Sequence, residues 1–190
     1  MDYGIKKGLR VSMTPSATPK VTKEAMRKSK EIGLSRWAFS LDGSTAQIHD
    51  HFRGTSGSFD LTMKSIPYLK ESSMPIQINT TVSKYNIDDL NQRAKNIEEF
   101  HAELWSLFFL VPTGRGQIKD MISPDEHEQV FEWLFQLSKT APFNIKTTAA
   151  PHYRRFIIQK QKEQKLSAGT SPTKIPDHIG RAAGINDGNG

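Results

Sequence analysis

Residues 38–59 read AFSLDGSTAQIHDHFRGTSGSF, and this stretch joins a short apolar run to a polar segment. The run ends in SLDG at positions 40–43, where aspartate and glycine are typical of a turn. The residues that follow include His49, His51 and Arg53, and then two glycines. We therefore predict a strand over 36–43 that is followed by a polar loop.

Strand-like and helix-like segments alternate on both sides of this stretch. Runs rich in β-forming residues cover 9–14, 36–43, 75–83, 104–112 and 143–151, and helical patterns cover 20–33, 58–73, 86–101, 123–140 and 152–165. Thr22, Asn86 and Ser123 are of the residue types that cap helix N-termini. Strands that alternate with helices form parallel βαβ units with right-handed crossovers. The alternation predicts an α/β fold, either an open doubly wound sheet or part of a (βα) barrel.

The last residues differ in composition from the rest of the chain. Residues 166–190 are rich in glycine, proline, serine and aspartate, which is typical of a linker. No element is expected before the first strand, and five strand–helix units are fewer than the eight of a closed TIM barrel. We predict a partial barrel core over 1–165 and a linker over 166–190.

The composition excludes several classes of protein. The 190 residues are 36% hydrophobic and 24% charged, which is typical of a globular domain. No apolar run approaches the roughly 20 residues of a membrane span, and no secretory signal is present, so a cytoplasmic location is expected. The formal charge is +6, but the basic residues lie in separate patches and mix with glutamate on helix-like segments. These patches indicate solvated helix faces, and nucleic-acid binding is not expected.

The chain contains no cysteine. It therefore has no disulfide, no thiol nucleophile and no thiolate ligand for zinc. Iron–sulfur clusters are held mainly by cysteine thiolates, so the chain alone has no usual means of binding one.

Polar residues follow the predicted strands at their carboxyl ends, which is where ligands bind in parallel α/β sheets. Ser40 and Asp42 are two residues apart and so face the same side of their strand. A hydroxyl and a carboxylate there suit a hydroxyl-rich ligand such as a ribose. The alternative is structural, with Asp42 capping the turn and Ser40 bonding to a neighbouring strand.

Three further groups of residues near the strand ends are candidates for binding. His49 and His51 have no third ligand at a recognised spacing, so a metal site is disfavoured. The guanidinium groups of Arg53 and, in the segment PTGRG (112–116), of Arg115 are suited to holding an anion. The segment PHYRR (151–155) either binds an acidic substrate or begins a solvated helix.

Five segments resemble, in this order, the middle and later part of the radical S-adenosylmethionine (SAM) enzymes. They read GLRVSMTPSATP, WAFSLDGSTAQIHDHFRGTSGSF, INTTVSKYN, FFLVPTGRG and APHYRR. The subgroup resembled carries a C-terminal SPASM-type extension and is similar to the haem-biosynthesis and peptide-maturation branches. The resemblance implies a partial (βα) barrel, related to the TIM barrel, that binds SAM and a [4Fe–4S] cluster. In this family the cluster cleaves SAM to a 5′-deoxyadenosyl radical.

The resemblance also implies roles for individual residues. Residues that would bind the cofactor are Thr14, Ser40, Asp42, Arg53, Asn79 and Val111, with Val111 against the adenine. Residues that would bind the substrate, a tetrapyrrole or a peptide, are Arg115, His152 and Arg154. The family's CxxxCxxC segment and the cysteine-bearing extension do not match any part of this chain, so we expect an internal portion of a longer enzyme.

Two other interpretations remain open on the sequence. The chain could be a non-catalytic nucleotide-binding module or an inactive fragment. It could also be a metal-independent α/β enzyme that uses Asp42 and His49 as acid and base.

Overall fold

The computed structural model describes residues 1–168, which form five strands and seven α-helices. The strands are β1 (Ser12–Met13), β2 (Arg36–Ser40), β3 (Ile76–Val82), β4 (Leu104–Phe109) and β5 (Asn144–Thr148). The helices are α1 (Asp2–Lys6), α2 (Lys23–Glu31), α3 (Ala46–Arg53), α4 (Ser58–Glu71), α5 (Leu90–Glu99), α6 (Pro124–Leu137) and α7 (His152–Ala168). Short 3-10 helices cover Ile87–Asp89 and Ile118–Asp120.

The five strands form one parallel sheet in the order β1-β2-β3-β4-β5. Each strand therefore lies beside the one that precedes it in the chain. Right-handed crossovers between sequential parallel strands place all the connecting helices on the same face of the sheet. A doubly wound sheet needs a reversal of strand order, and this sheet has none. The fold is thus a sector of a (βα) barrel, which decides between the two predicted architectures.

The two faces of the sheet differ in chemistry. Along β3 burial alternates strictly, with Ile76, Ile78, Thr80 and Val82 buried and the three residues between them half-buried. The buried set belongs to the face that packs against the helices. The neighbouring strands contribute further buried residues to this face: Trp37, Phe39, Trp105, Leu107 and Ile145. We call the opposite side, which carries Gln77, Asn79 and Thr81, the open face.

The helix-facing core is closed by aromatic contacts. The ring of Trp105 meets the ring of Trp133 on α6 at 6.0 Å and that of Phe143 at 6.1 Å, both edge-on. Its indole N–H donates to the Thr80 hydroxyl at 2.9 Å, so the one polar atom of this buried ring has a partner. The core therefore fixes β3, β4 and α6 relative to each other.

Most predicted elements are confirmed, and three segments differ from the prediction. Residues 2–6 form helix α1, which was not predicted, with a salt bridge of 2.8 Å between Lys6 and Asp2 one turn apart. The predicted polar loop after β2 is wrong, because residues 46–53 form helix α3. Helix α7 extends to Ala168 and so covers the first three residues of the predicted linker, and residues 169–190 of that linker lie outside the described residues. Within residues 1–168, no helix has both the length and the apolar character that crossing a bilayer requires.

Two of the three predicted helix caps are present. The Thr22 hydroxyl accepts the Ala25 N–H, and Ser123 forms a reciprocal capping box with Glu126. Asn86 does not cap a helix with its side chain. That side chain instead donates hydrogen bonds to the carbonyl oxygens of Asp42 and Thr81.

Helices α1 to α5 end in the same backbone motif, and in two of them the turn residue is not glycine. After α2, α4 and α5 the chain turns through a residue with positive φ: Gly33 at +87°, Ser73 at +50° and His101 at +52°. In each case the next residue donates a backbone hydrogen bond to the carbonyl oxygen five residues back, as Met74 does to Leu69. Only the first of these positions has glycine, which takes this conformation without strain.

We predict that Ser73→Gly raises the free energy of unfolding by about 0.5–1 kcal/mol. A left-handed residue with a Cβ costs roughly 1–2 kcal/mol, and the extra freedom of glycine in the unfolded chain offsets part of the gain. Urea unfolding measures the change. The matched control is Ser72→Gly, where φ is −80° and the hydroxyl donates to the Leu69 carbonyl, and this variant should be less stable than the parent. Equal effects at the two positions would contradict the argument from backbone strain.

Candidate functional site at the carboxyl ends of the strands

A row of polar side chains crosses the open face of the sheet. In the strand register Ser40 lies beside Asn79, Asn79 beside Ser106, and Ser106 beside Lys146. Neighbouring strands are about 4.8 Å apart, so each of these side chains is a direct neighbour of the next. The next row toward the carboxyl ends contains Thr81, Phe108 and Thr148. The open face thus carries hydroxyl, amide and ammonium groups in one place, with Ser106 buried in the middle of the row.

A series of hydrogen-bonded side chains, nearer the amino ends of the strands, contacts this row at Asn79. The Gln77 amide donates to Asn79 Oδ1 at 2.7 Å, and the Arg36 guanidinium approaches Gln77 Oε1 at 3.4 Å. Arg36 also pairs with Glu103 at 3.0 Å. Asn79 Oδ1 is therefore an engaged acceptor, which leaves the Asn79 NH2 group free to donate to a ligand.

Asp42 lies just beyond the end of β2, and its carboxylate is bound by the protein. One oxygen accepts the Thr81 backbone N–H at 2.7 Å, and the other lies 3.3 Å from Arg53. Its side chain is 1% exposed. Burial raises the pKa of Asp42, and the Thr81 N–H and the Arg53 guanidinium counteract part of that rise. The carboxylate has no exposed oxygen for a ligand, so Asp42 acts on the site by holding the two strand ends together.

Helix α3 begins close to this turn because position 43 is glycine. A Cβ at Gly43 would lie 2.4 Å from the His49 backbone nitrogen and 2.7 Å from the Ile48 Cβ. The Thr45 hydroxyl caps the helix by accepting the Ile48 N–H at 3.4 Å, and Gly54 ends it with φ at +66°. These cap signals are present in the sequence and could have identified the helix.

His49 is buried, and its ring binds the turn rather than a ligand. The Asp42 backbone N–H donates to His49 Nδ1 at 3.0 Å, which requires a neutral ring with its proton on Nε2. Burial and the positive charge of Arg53 lower the pKa of His49 to about 4. The predicted acid–base pair of Asp42 and His49 is not supported, since both side chains are shielded from solvent. His51, two residues on along the helix, is exposed, and the described residues contain no group of three acids or histidines that could hold a metal.

A second set of buried polar groups fixes the loop after β3. Asn86 donates from Nδ2 to the carbonyl oxygens of Asp42 and Thr81, both at 2.8 Å, and Arg93 donates to the Asn86 carbonyl at 2.5 Å. Arg93 is fully buried and lies 3.3 Å from Asp89. Burial lowers the pKa of Arg93 to about 10, although the two nearby aspartates oppose the shift.

Val111 and His152 line one cavity at the carboxyl ends of β4 and β5. The cavity has a volume of about 350 Å³, and its walls come mainly from residues 109–112, the first turn of α6 and the start of α7. Val111 is 49% exposed. The rings of His152 and His127 are 5.3 Å apart, and burial lowers the pKa of His152. The structure thus brings together one residue predicted for the cofactor and one predicted for the substrate.

The remaining predicted residues are dispersed around the strand ends. Thr14 is exposed, one residue past β1 and beside β2. Arg115 reaches the end of α3, where its guanidinium lies 3.5 Å from the Arg53 carbonyl oxygen. Arg154 is exposed on α7, and the adjacent Arg155 pairs with Glu128 and Gln159.

The sequence analysis did not identify Ser106 or Lys146 as candidate binding residues. It also did not distinguish Thr148, which lies on the open face, from Thr147, which faces the helices. Ser106 lies inside an apolar run of the sequence. Which side chains of β5 lie on the open face depends on the register between β5 and β4. Alternation along β5 could have paired Lys146 with Thr148, since the two are separated by one residue.

Comparison with solved structures identifies the architecture. The fold matches Streptococcus suis SuiB bound to S-adenosylmethionine with a TM-score of 0.60 over 77% of this chain and 34% of that chain, at 19% identity. It matches anSMEcpe with bound AdoMet and a peptide with a TM-score of 0.57 over 85% of this chain and 44% of that one, at 14% identity. The fold is therefore the partial (βα) barrel of the radical SAM type.

Sequence comparison gives the family. The chain is 38% identical to the AdoMet-dependent heme synthase of Methanosarcina barkeri over 164 residues, which are 86% of this chain and 47% of that protein. It is 39% identical to the AdoMet-dependent heme synthase of Nitratidesulfovibrio vulgaris over 183 residues, 95% of this chain and 48% of that protein. No family profile matches the sequence. The chain belongs to the radical SAM family, and it spans about half the length of these curated relatives.

We predict that His49 makes stability depend on pH between about 6.5 and 4. The unfolded chain takes up a proton as the pH falls through 6.5, whereas the folded chain resists it down to about 4. The contribution of His49 to the free energy of unfolding is therefore fully present above pH 6.5. It falls by about 2 kcal/mol between pH 7 and pH 5.

The test is urea unfolding of the parent and of His49→Asn at pH 7 and pH 5. Asparagine offers an oxygen to the Asp42 N–H but does not titrate, so the variant should lose about 2 kcal/mol less over this interval. His101→Asn, at an exposed histidine, is the control and should keep the parental pH dependence. If the free energy of unfolding of His49→Asn depended on pH as strongly as that of the parent, the buried ring would not be the cause of the dependence.

Proposed function

We propose that this chain binds SAM on the open face of the sheet and forms part of the core of a radical SAM enzyme that acts on a tetrapyrrole. The observation that carries the proposal is the polar row at the carboxyl ends of the strands, in which Ser40 of β2, Asn79 of β3 and Ser106 of β4 are direct neighbours. Ligands bind outside these ends in parallel α/β folds. The identity to AdoMet-dependent heme synthases favours a tetrapyrrole over a peptide.

Two residues of the row, Ser40 and Asn79, fit the polar part of the cofactor. The Ser40 hydroxyl has no side-chain partner among the described residues, and the Asn79 amide group can donate, so both can bind ribose hydroxyls or the methionine moiety. Thr14 lies one strand away on the same face. Val111, with its exposed apolar side chain at the cavity, is suited to the adenine ring.

Asp42 and Arg53 take part indirectly in this proposal. Asp42 fixes the end of β2 against β3, and Arg53 neutralises it from the last turn of α3. Both keep Ser40 and Asn79 in register without contacting the cofactor. Arg115, which is exposed beside the end of α3, remains available to an anionic group of a ligand.

The iron–sulfur cluster of the family does not fit the residues present. The sequence has no cysteine, and the described part of the chain has no cluster of acids and histidines that could replace thiolates. We therefore derive no step of SAM cleavage from this chain. The proposal assigns binding and orientation of the cofactor to the residues of this chain. It assigns the radical chemistry to the whole enzyme.

We predict that the chain binds SAM and that Ser40→Ala and Asn79→Ala each weaken binding about 2- to 12-fold, which is the value of one neutral hydrogen bond. Isothermal titration calorimetry measures the affinity. Ser35→Ala, at the amino end of β2, is the matched control and should bind like the parent. No heat of binding for the parent chain, or equal losses in all three variants, would refute the proposal.

A further inference from the structure

We propose that Lys146 and Thr148 form a carboxylate-binding pair on the open face and that this pair holds an acidic substrate. The inference rests on the proposed function, because it names the group that positions the substrate beside the SAM site. It replaces the predicted use of Arg154, which lies on the exposed surface of α7.

The two side chains point the same way from one strand. Lys146 and Thr148 are separated by one residue on β5, so both face the open side at a spacing of about 6.6 Å. The register places Lys146 beside Ser106 and Thr148 beside Phe108. The pair therefore continues the polar row that begins at Ser40.

Neither group has a partner within the described residues. Lys146 is half-buried and makes no ion pair or hydrogen bond there, whereas Arg36 on the same face is paired with Glu103. The Thr148 hydroxyl oxygen is buried and also lacks a hydrogen-bond partner. Buried polar groups in folded proteins are nearly always satisfied, so the buried Thr148 hydroxyl without a partner, next to the unpaired Lys146 ammonium, indicates a missing ligand group.

The chemistry of the pair favours a carboxylate. An ammonium group and a hydroxyl group supply a charge-assisted and a neutral hydrogen bond, which match the two oxygens of a carboxylate. The half-buried ring of Phe108 lies between Thr81 and Thr148 and offers an apolar surface beside them. A planar apolar molecule with carboxylate side arms, such as a porphyrin with propionate groups, satisfies both features.

The experiment measures binding of coproporphyrin III to the full 190-residue chain through the shift of its Soret absorbance. Lys146→Met should weaken binding at least about tenfold, because it removes a charge-assisted bond, and Thr148→Val about threefold. Lys146→Arg, which keeps the charge, should bind within about threefold of the parent. The Thr148→Val protein should unfold at the same urea concentration as the parent or higher, because the lost hydroxyl has no partner in the folded chain.

Two matched variants control for charge and for the strand. Lys162→Met removes an exposed lysine of α7, and Thr147→Val changes the neighbouring residue that faces the helices. Both should bind coproporphyrin III within about twofold of the parent. Effects in these controls equal to those at 146 and 148, or no saturable binding by the parent chain, would overturn the proposal.

A second titration separates the substrate from the cofactor, because SAM also carries a carboxylate. The Lys146→Met variant should bind SAM and decarboxylated SAM with the affinities of the parent. A loss of affinity for SAM but not for its decarboxylated form would assign the carboxylate to the cofactor and overturn the substrate assignment. Failure of the parent to bind SAM would refute the proposed function, while selective loss of porphyrin binding in Lys146→Met would still support the carboxylate pair.

Discussion

The burial of Asp42 is the constraint on which the candidate site depends. A carboxylate that is 1% exposed needs hydrogen bonds and a counter-charge, and Thr81, from β3, and Arg53, from α3, supply them. Its backbone is bound as well, with the N–H donating to His49 and the carbonyl accepting from Asn86. One residue thus ties together β2, α3, β3 and the loop after β3, and removing any partner would leave a buried polar group unsatisfied.

This constraint acts on function through register. Parallel strands of sequential order leave one face free of connecting helices, and their carboxyl ends meet at one edge. Locking the end of β2 to β3 at Thr81 sets Ser40 beside Asn79, and the main-chain ladder carries the same register to Ser106 and Lys146. A slip of one residue would turn every one of these side chains into the helix-facing core.

Much of this arrangement followed from sequence patterns, and the rest needed the packed chain. The alternation of strands and helices predicted the α/β class, and the period of two along β3 predicted that Asn79 shares a face with Thr81. It could not choose between a doubly wound sheet and a barrel, because strand order depends on long-range packing. Helix α3 was missed although Thr45 and Gly54 signal its ends, since its polar residues suggested a loop. The burial of His49 depends on the close approach that Gly43 allows, which no periodicity reveals.

Two kinds of polar residue surround the strand ends, and their hydrogen bonding distinguishes them. Asp42, His49 and Asn86 are buried and satisfied by the protein, so their bonds are already formed before any ligand arrives. Lys146 and Thr148 face the open side without partners among the described residues. Residues of the first kind are preorganised, because their hydrogen bonds within the protein need no further ordering when a ligand binds. Binding energy can then come from groups that gain a partner, and this is why we assign recognition to the unpaired residues and positioning to the paired ones.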